Sequence, residues 1–172
     1  MDVWTMRRMG AVWIGFCAVL AVGGWTPSRA ADREMIAVDP QSMKFAAVPG
    51  MPGCATVAIL RGDPRKGPSV VLLKLAGGCR VPWHWHTANE ELLVVSGVGV
   101  LDMPEDKPLL FRPGAYASLP SHHAHQARCS RTCLFFSVAD DAFDIHYVDN
   151  AGKEISEDEA LKKQAVRKGR KK

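Results

Sequence analysis

Residues Gly78–Gly97 read GCRVPWHWHTANEELLVVSG, and this stretch decides how the rest of the chain is read. His84, His86 and Glu90 are three metal-ligating side chain types at tight spacing. Side chains alternate along a strand, so His84 and His86 share one face while Trp83 and Trp85 share the other. After Glu90 the run LLVVS reads as a buried strand, and Gly97 ends it. Two imidazoles and a carboxylate on one wall suit a divalent transition metal. Such a set needs a fourth ligand from elsewhere in the chain.

Candidates for that ligand lie in Gly114–Cys129, GAYASLPSHHAHQARC. Pro120 breaks a strand, and His122, His123 and His125 crowd the turn that follows. With these two segments in hand, the chain resembles the cupin superfamily. The first cupin motif runs Gly, five residues, His-x-His, three or four residues, Glu, six residues, Gly. Gly78, His84, His86, Glu90 and Gly97 match it at every position. The second runs Gly, five residues, Pro-x-Gly, two residues, His, three residues, Asn. Gly114, Pro120 and His125 match, whereas His122 stands at the family glycine and Cys129 at the family asparagine. The asparagine is not a metal ligand in the family; the lost glycine bears on the backbone of the turn. The two motifs and their spacer cover about a third of the chain.

The resemblance implies that His84, His86, Glu90 and His125 hold the metal, with Glu91 facing away. A register displaced by one residue would make Glu91 the ligand instead. Imidazole suits iron, copper, nickel and zinc, and the carboxylate admits manganese. His123 shares parity with His125, which makes it the candidate catalytic residue. It could serve as a general base, as a partner behind the ligands or as an alternative ligand. The plain alternative is that His122 and His123 are exposed turn residues. Trp83 and Trp85 face away from the metal and call for a cover, either the N-terminal arm or a second subunit. Since cupins often dimerise through such outer faces, a homodimer is expected.

Residues 1–30 have the parts of a secretory signal: Arg7-Arg8, an apolar run over Met9–Gly24 and the small-x-small site Ser28-Arg29-Ala30. The apolar run is short for a membrane span, which needs ~20 residues. The expected mature protein is therefore exported, periplasmic or secreted, without stable membrane insertion; an uncleaved anchor is the alternative. Seven basic residues from Lys162 onward carry +7, and the charges before residue 31 sum to +2. The formal +4 of the whole chain thus leaves residues 31–160 at −5. A nucleic-acid binder would carry its positive charge on the folded domain, so none is expected as a partner.

Residues 31–53 read as an irregular arm with one short strand near Phe45. Residues 54–150 read as the folded domain, with strands at Cys54–Leu60, Ser69–Leu75, Val98–Met103, Leu109–Arg112, Ala115–Leu119, Cys133–Ala139 and Phe143–Val148. Short strands with turns every few residues point to an all-β sandwich or barrel, and a small β-barrel or jelly roll is the closest architecture. Residues 151–172 form a polar, basic tail with a short helix, opened by a capping box at Ser156 and Glu159.

Cys54, Cys79, Cys129 and Cys133 fall in the expected exported domain, where oxidation is the rule. Ser130-Arg131-Thr132 can form a hairpin turn that sets Cys129 against Cys133, which leaves Cys54 for Cys79. The alternative is buried free thiols.

Three functional classes follow. The first is a metal-dependent enzyme, a dioxygenase, decarboxylase or isomerase acting on a small oxygen-rich molecule. The second is a non-catalytic cupin that binds a metal or small ligand. The third, a sensor like the cupin part of anti-sigma factors, fits poorly with export and with the lack of a partner domain. Leu92, Val94 and Phe135 or Phe136 are expected to supply an apolar wall to the site.

Overall fold

The alternation of inward and outward side chains expected from the sequence is realised in a computed structural model that describes residues 35–104 and 107–162. The expected signal segment, residues 1–30, and the basic end of the tail, from residue 163, lie outside the described residues. Eleven strands occur among the described residues: β1 (Ala46–Ala47), β2 (Ala55–Arg61), β3 (Ser69–Leu75), β4 (Arg80–Trp85), β5 (Glu90–Ser96), β6 (Gly99–Asp102), β7 (Leu109–Phe111), β8 (Tyr116–Leu119), β9 (His125–Cys129), β10 (Cys133–Ala139) and β11 (His146–Tyr147). They form a six-stranded sheet ordered β1-β2-β3-β10-β5-β8 and a five-stranded sheet ordered β11-β4-β9-β6-β7. Every pairing is antiparallel. The ladders do not join the two sheets into a closed barrel, so the fold is an all-β jelly roll.

Apolar residues of both sheets share one core. Leu92, Val94 and Phe135 come from the larger sheet, and Val81, Leu101, Phe111 and Ala127 from the smaller. Phe111 and Phe135 meet edge to face, with ring centroids 4.8 Å apart. The expected burial of LLVVS holds on one side only. Leu92 and Val94 point into the core, whereas Leu93 and Val95 are exposed on the outer face, as an antiparallel sheet packed on one side allows. The same alternation sends Phe135 inward and Phe136 outward.

Gly97 ends β5 where the chain passes close to the β9–β10 turn. Its φ is +103°, and a Cβ there would lie 2.5 Å from the Thr132 carbonyl oxygen, so the position requires glycine. The β9–β10 hairpin carries a Cys129–Cys133 disulfide, with Cα atoms 6.1 Å apart. A second disulfide joins Cys54 to Cys79, with Cα atoms 5.7 Å apart. Both pairings are those expected.

Among its described residues, from 35 onward, the arm is irregular apart from β1 and a single 3-10 turn at Pro40–Ser42. The expected strand Phe143–Val148 shrinks to β11; the chain before it bends to place Phe143 beside His86, ring centroids 4.5 Å apart. Beyond it, residues 157–162 are helical, and the Ser156 hydroxyl oxygen accepts the Glu159 N–H at 3.2 Å. Among the described residues no helix is long and apolar enough to cross a membrane.

Candidate metal centre

β4 and β9 lie side by side, and their register sets His84 opposite His125. His86 follows one residue beyond the end of β4. The rings of His84 and His125 have centroids 4.2 Å apart; those of His84 and His86 are 4.8 Å apart. All three residues are buried, and their candidate ligand nitrogens lie within 4.8 Å of one another. The two sequence segments that carry the histidines therefore build one site.

Each ring is oriented by the main chain. Nδ1–H of His84 donates to the Pro82 carbonyl at 2.6 Å, and Nδ1–H of His125 donates to the His123 carbonyl at 2.9 Å. His86 makes the same kind of bond to the Asp144 carbonyl. A carbonyl oxygen can only accept, so Nδ1 holds the proton and Nε2 keeps its lone pair in all three rings. Three neutral imidazoles thus present metal-binding lone pairs.

Glu90 opens β5 and is buried, whereas its neighbour Glu91 is exposed. Glu90 Oε2 lies 3.6 Å from His86 Nε2 and 3.9 Å from His125 Nε2. Its other oxygen, Oε1, accepts the Ser137 hydroxyl at 2.7 Å. Ser137 was not singled out by sequence reasoning. Its signal was there: it is the one hydroxyl in CLFFSVA, and it shares inward parity with Phe135.

Burial shapes the protonation of the group. Loss of water pushes His84 well below the ordinary imidazole range, helped by the repulsion of His125 and His86. His86 is lowered, and His125 falls to about 4, both chiefly through burial. Burial raises Glu90, against the opposing pull of His125 and Ser137. The imidazoles are therefore neutral and ready to donate electron pairs, while the carboxylate lacks a cation. A divalent metal fits this donor set: it would accept the Nε2 lone pairs and supply the missing charge.

The rim of the site is tied together by three loops. The Asp144 carboxylate accepts the Thr87 backbone N–H at 2.8 Å and the Thr87 hydroxyl. Asp140 accepts the backbone and side-chain N–H groups of Asn89, at 2.9 and 2.6 Å. The Ser121 N–H donates to Asn89 Oδ1 at 2.9 Å, and its hydroxyl to the Thr87 carbonyl at 2.6 Å. The role of Asp144 toward His86 had no sequence signal, because it runs through a backbone carbonyl.

The replacement of the family glycine by His122 leaves the turn in place. His122 has φ 62°, a left-handed conformation uncommon for a residue with a Cβ. Three contacts hold it there. Its N–H donates to the His86 carbonyl at 2.9 Å, its Nδ1 lies 2.7 Å from the Ser121 hydroxyl, and its ring stacks on Trp85 with centroids 4.3 Å apart. His146 stacks on Trp85 as well, at 3.9 Å. Trp85 is thus covered in part from within the chain, by His146 on one flanking segment and His122 on the other. The side chain of His123 is half-buried and does not line the cavity; its carbonyl is what orients His125.

The cavity in front of the imidazoles measures about 30 Å³ and, Glu90 aside, is otherwise apolar, with Leu92 and Phe135 in its wall as expected. Val94 is buried in the core without lining it.

Solved structures share this fold. The polyketide cyclase RemF from Streptomyces resistomycificus aligns with 76% of this chain and 94% of its own, at 22% identity and a TM-score of 0.62. An acetylacetone dioxygenase from Acinetobacter johnsonii aligns with 77% of this chain and 89% of its own, at 14% identity and a TM-score of 0.55. An RmlC-like cupin from Shewanella frigidimarina aligns with 64% of this chain and 93% of its own, at 15% identity and a TM-score of 0.53. Among curated proteins, no sequence matches the chain. The sequence profile of the ChrR cupin-like domain matches residues 33–142, which is more than half of the chain. With the paired motifs and the jelly roll in agreement, the chain belongs to the ChrR cupin-like family.

Proposed function

We propose that this protein binds a divalent transition metal through His84, His86, His125 and Glu90. In this reading it is a metal-dependent enzyme, of dioxygenase, decarboxylase or isomerase type, acting on a small molecule that offers oxygen atoms to the site. The observation that carries it is the gathering of three Nε2 lone pairs beside one buried carboxylate. A metal bound there would supply Lewis acidity toward a substrate oxygen. The chain's own residues do the remaining work. The imidazoles are oriented in advance by Pro82, His123 and Asp144. Glu90 brings the negative charge, and Ser137 fixes which oxygen faces the rings. Leu92, Phe111 and Phe135 give the site an apolar wall. Iron, manganese, nickel, copper and zinc all suit such donors. His123 is the candidate acid–base residue of this reading, although its side chain lies outside the cavity wall and only its carbonyl meets a ligand ring.

A non-catalytic binding role is the second reading. It is favoured by one observation: beyond the three imidazoles and Glu90, no acid–base side chain among the described residues lines the cavity. Export to an oxidising compartment belongs to both readings and is supported by the two disulfides.

The test is metal analysis of protein purified from its native compartment, followed by oxygen uptake and product analysis with phenols, oxo-acids and diketones. Protein without metal that also refuses metal in vitro overturns both metal readings. Stoichiometric metal without turnover across the panel selects the binding role.

A further inference from the structure

Glu90 borders two cavities. The second, of about 50 Å³, abuts the metal-centre cavity, and Met51, Leu73, Glu90 and Phe143 form part of the wall of both. The second chamber lies against β2, β3 and β10 and is walled by Val57, Val71 and Ala139, with Val48 added from the arm. Its polar side chains are Ser69, Ser137 and Glu90. The Ser137 hydroxyl already donates to Glu90, so it is not free to donate to a guest. A sugar or polyhydroxy acid would bury hydroxyls here with few partners, and each unpaired one would cost roughly tenfold in affinity. An alkyl group meets chiefly the apolar side chains of Val48, Val57, Val71, Leu73 and Ala139.

We propose that the substrate has one oxygen-bearing head and a short apolar tail, with the tail in the Val57–Val71–Ala139 chamber and the head at the imidazoles. This rests on the metal reading above and narrows its substrate class away from oxygen-rich molecules. Met51, Leu73, Glu90 and Phe143, which wall both cavities, lie where head and tail would join. Since Met51 belongs to the arm, residues before β2 help to select the substrate.

The experiment titrates the full-length protein with manganese and then, by calorimetry, with acetate, butyrate, hexanoate and ω-hydroxybutyrate. Burial of a methylene is worth about fourfold in affinity, so butyrate should bind roughly tenfold or more tighter than acetate. The ω-hydroxy derivative should fall back toward acetate. Val57→Phe should flatten the series; if that variant does not fold, Ala139→Val, a smaller filling of the same chamber, should reduce the gain. If none of manganese, iron, nickel, copper and zinc binds, the metal reading fails and the head group loses its anchor; if another of them binds in place of manganese, the acid series is read on that form. If a metal binds but the series is flat, or ω-hydroxybutyrate matches butyrate, the chamber is a packing void only and the tail assignment alone is overturned.

Discussion

The Ser137 hydroxyl donates to Glu90 Oε1 at 2.7 Å, which leaves Oε2 as the oxygen that faces the imidazoles. A residue of β10 thus sets the rotamer of a ligand candidate on the neighbouring strand β5. Partners of this kind commonly contribute 10–100-fold to metal affinity. Ser137→Ala should weaken metal binding by roughly tenfold in a calorimetric titration, with the fold retained by circular dichroism.

Glu90 and Glu91 are adjacent yet face opposite ways, one buried and one exposed. Glu90→Ala should lower metal affinity by at least about tenfold to a hundredfold. Glu91→Ala should leave metal content near that of the parent. Metal analysis after dialysis distinguishes the two; the reverse pattern would place the ligand one residue later in the chain.

The metal-free protein should lose stability in acid because of His125. Its imidazole titrates at about 4 when folded, against an ordinary 6.5. Below 6.5 the unfolded chain therefore takes up a proton that the folded chain refuses. The stabilisation is complete above 6.5 and is lost as pH falls toward 4, by on the order of 3 kcal/mol. Glu90, raised by burial, acts in the opposite sense: its contribution is complete below 4.5 and lost as pH rises through its raised value. Comparing urea unfolding of the parent with His125→Gln isolates the histidine. The parent should lose stability relative to the variant as pH falls from neutral.

Much of this arrangement was legible in the chain itself. Parity placed His84 and His86 on one wall, and motif spacing picked out Glu90 and His125. Period-two parity could not carry Glu90, because the Thr87–Asn89 turn interrupts the strand between it and His86. Ser137 and Asp144 escaped notice because their partners lie 47 and 58 residues away. The outward Leu93, Val95 and Phe136 were hard to read for another reason: when both faces of a strand are apolar, composition does not say which one is buried.

The disulfides close loops of different length. Cys54–Cys79 spans 25 residues and Cys129–Cys133 spans 4. Loop entropy assigns about 3–4 kcal/mol to the first and about 2 kcal/mol to the second. Replacing both cysteines of a pair by alanine should therefore cost more at Cys54–Cys79, measured by chemical denaturation. Unreduced protein should show all four thiols blocked in mass spectrometry.

His122 offers a test of backbone strain. His122→Val places a β-branched residue at φ 62° and removes the stack on Trp85. It should destabilise the protein by about 1–3 kcal/mol. His122→Gly gives up the same stack but relieves the strain, so it should remain close to the parent in the same denaturation experiment.

The carbonyl groups of Pro82, His123 and Asp144 fix three ring orientations before any ion arrives. The scaffold is in that sense a rigid chelator, whose ring-ordering entropy is already lost during folding. In the metal reading, ion capture and release would then be governed by stripping water from the ion rather than by chain rearrangement. One metal could replace another with the backbone path unchanged, and the supply of ions in the compartment would decide which one the protein carries.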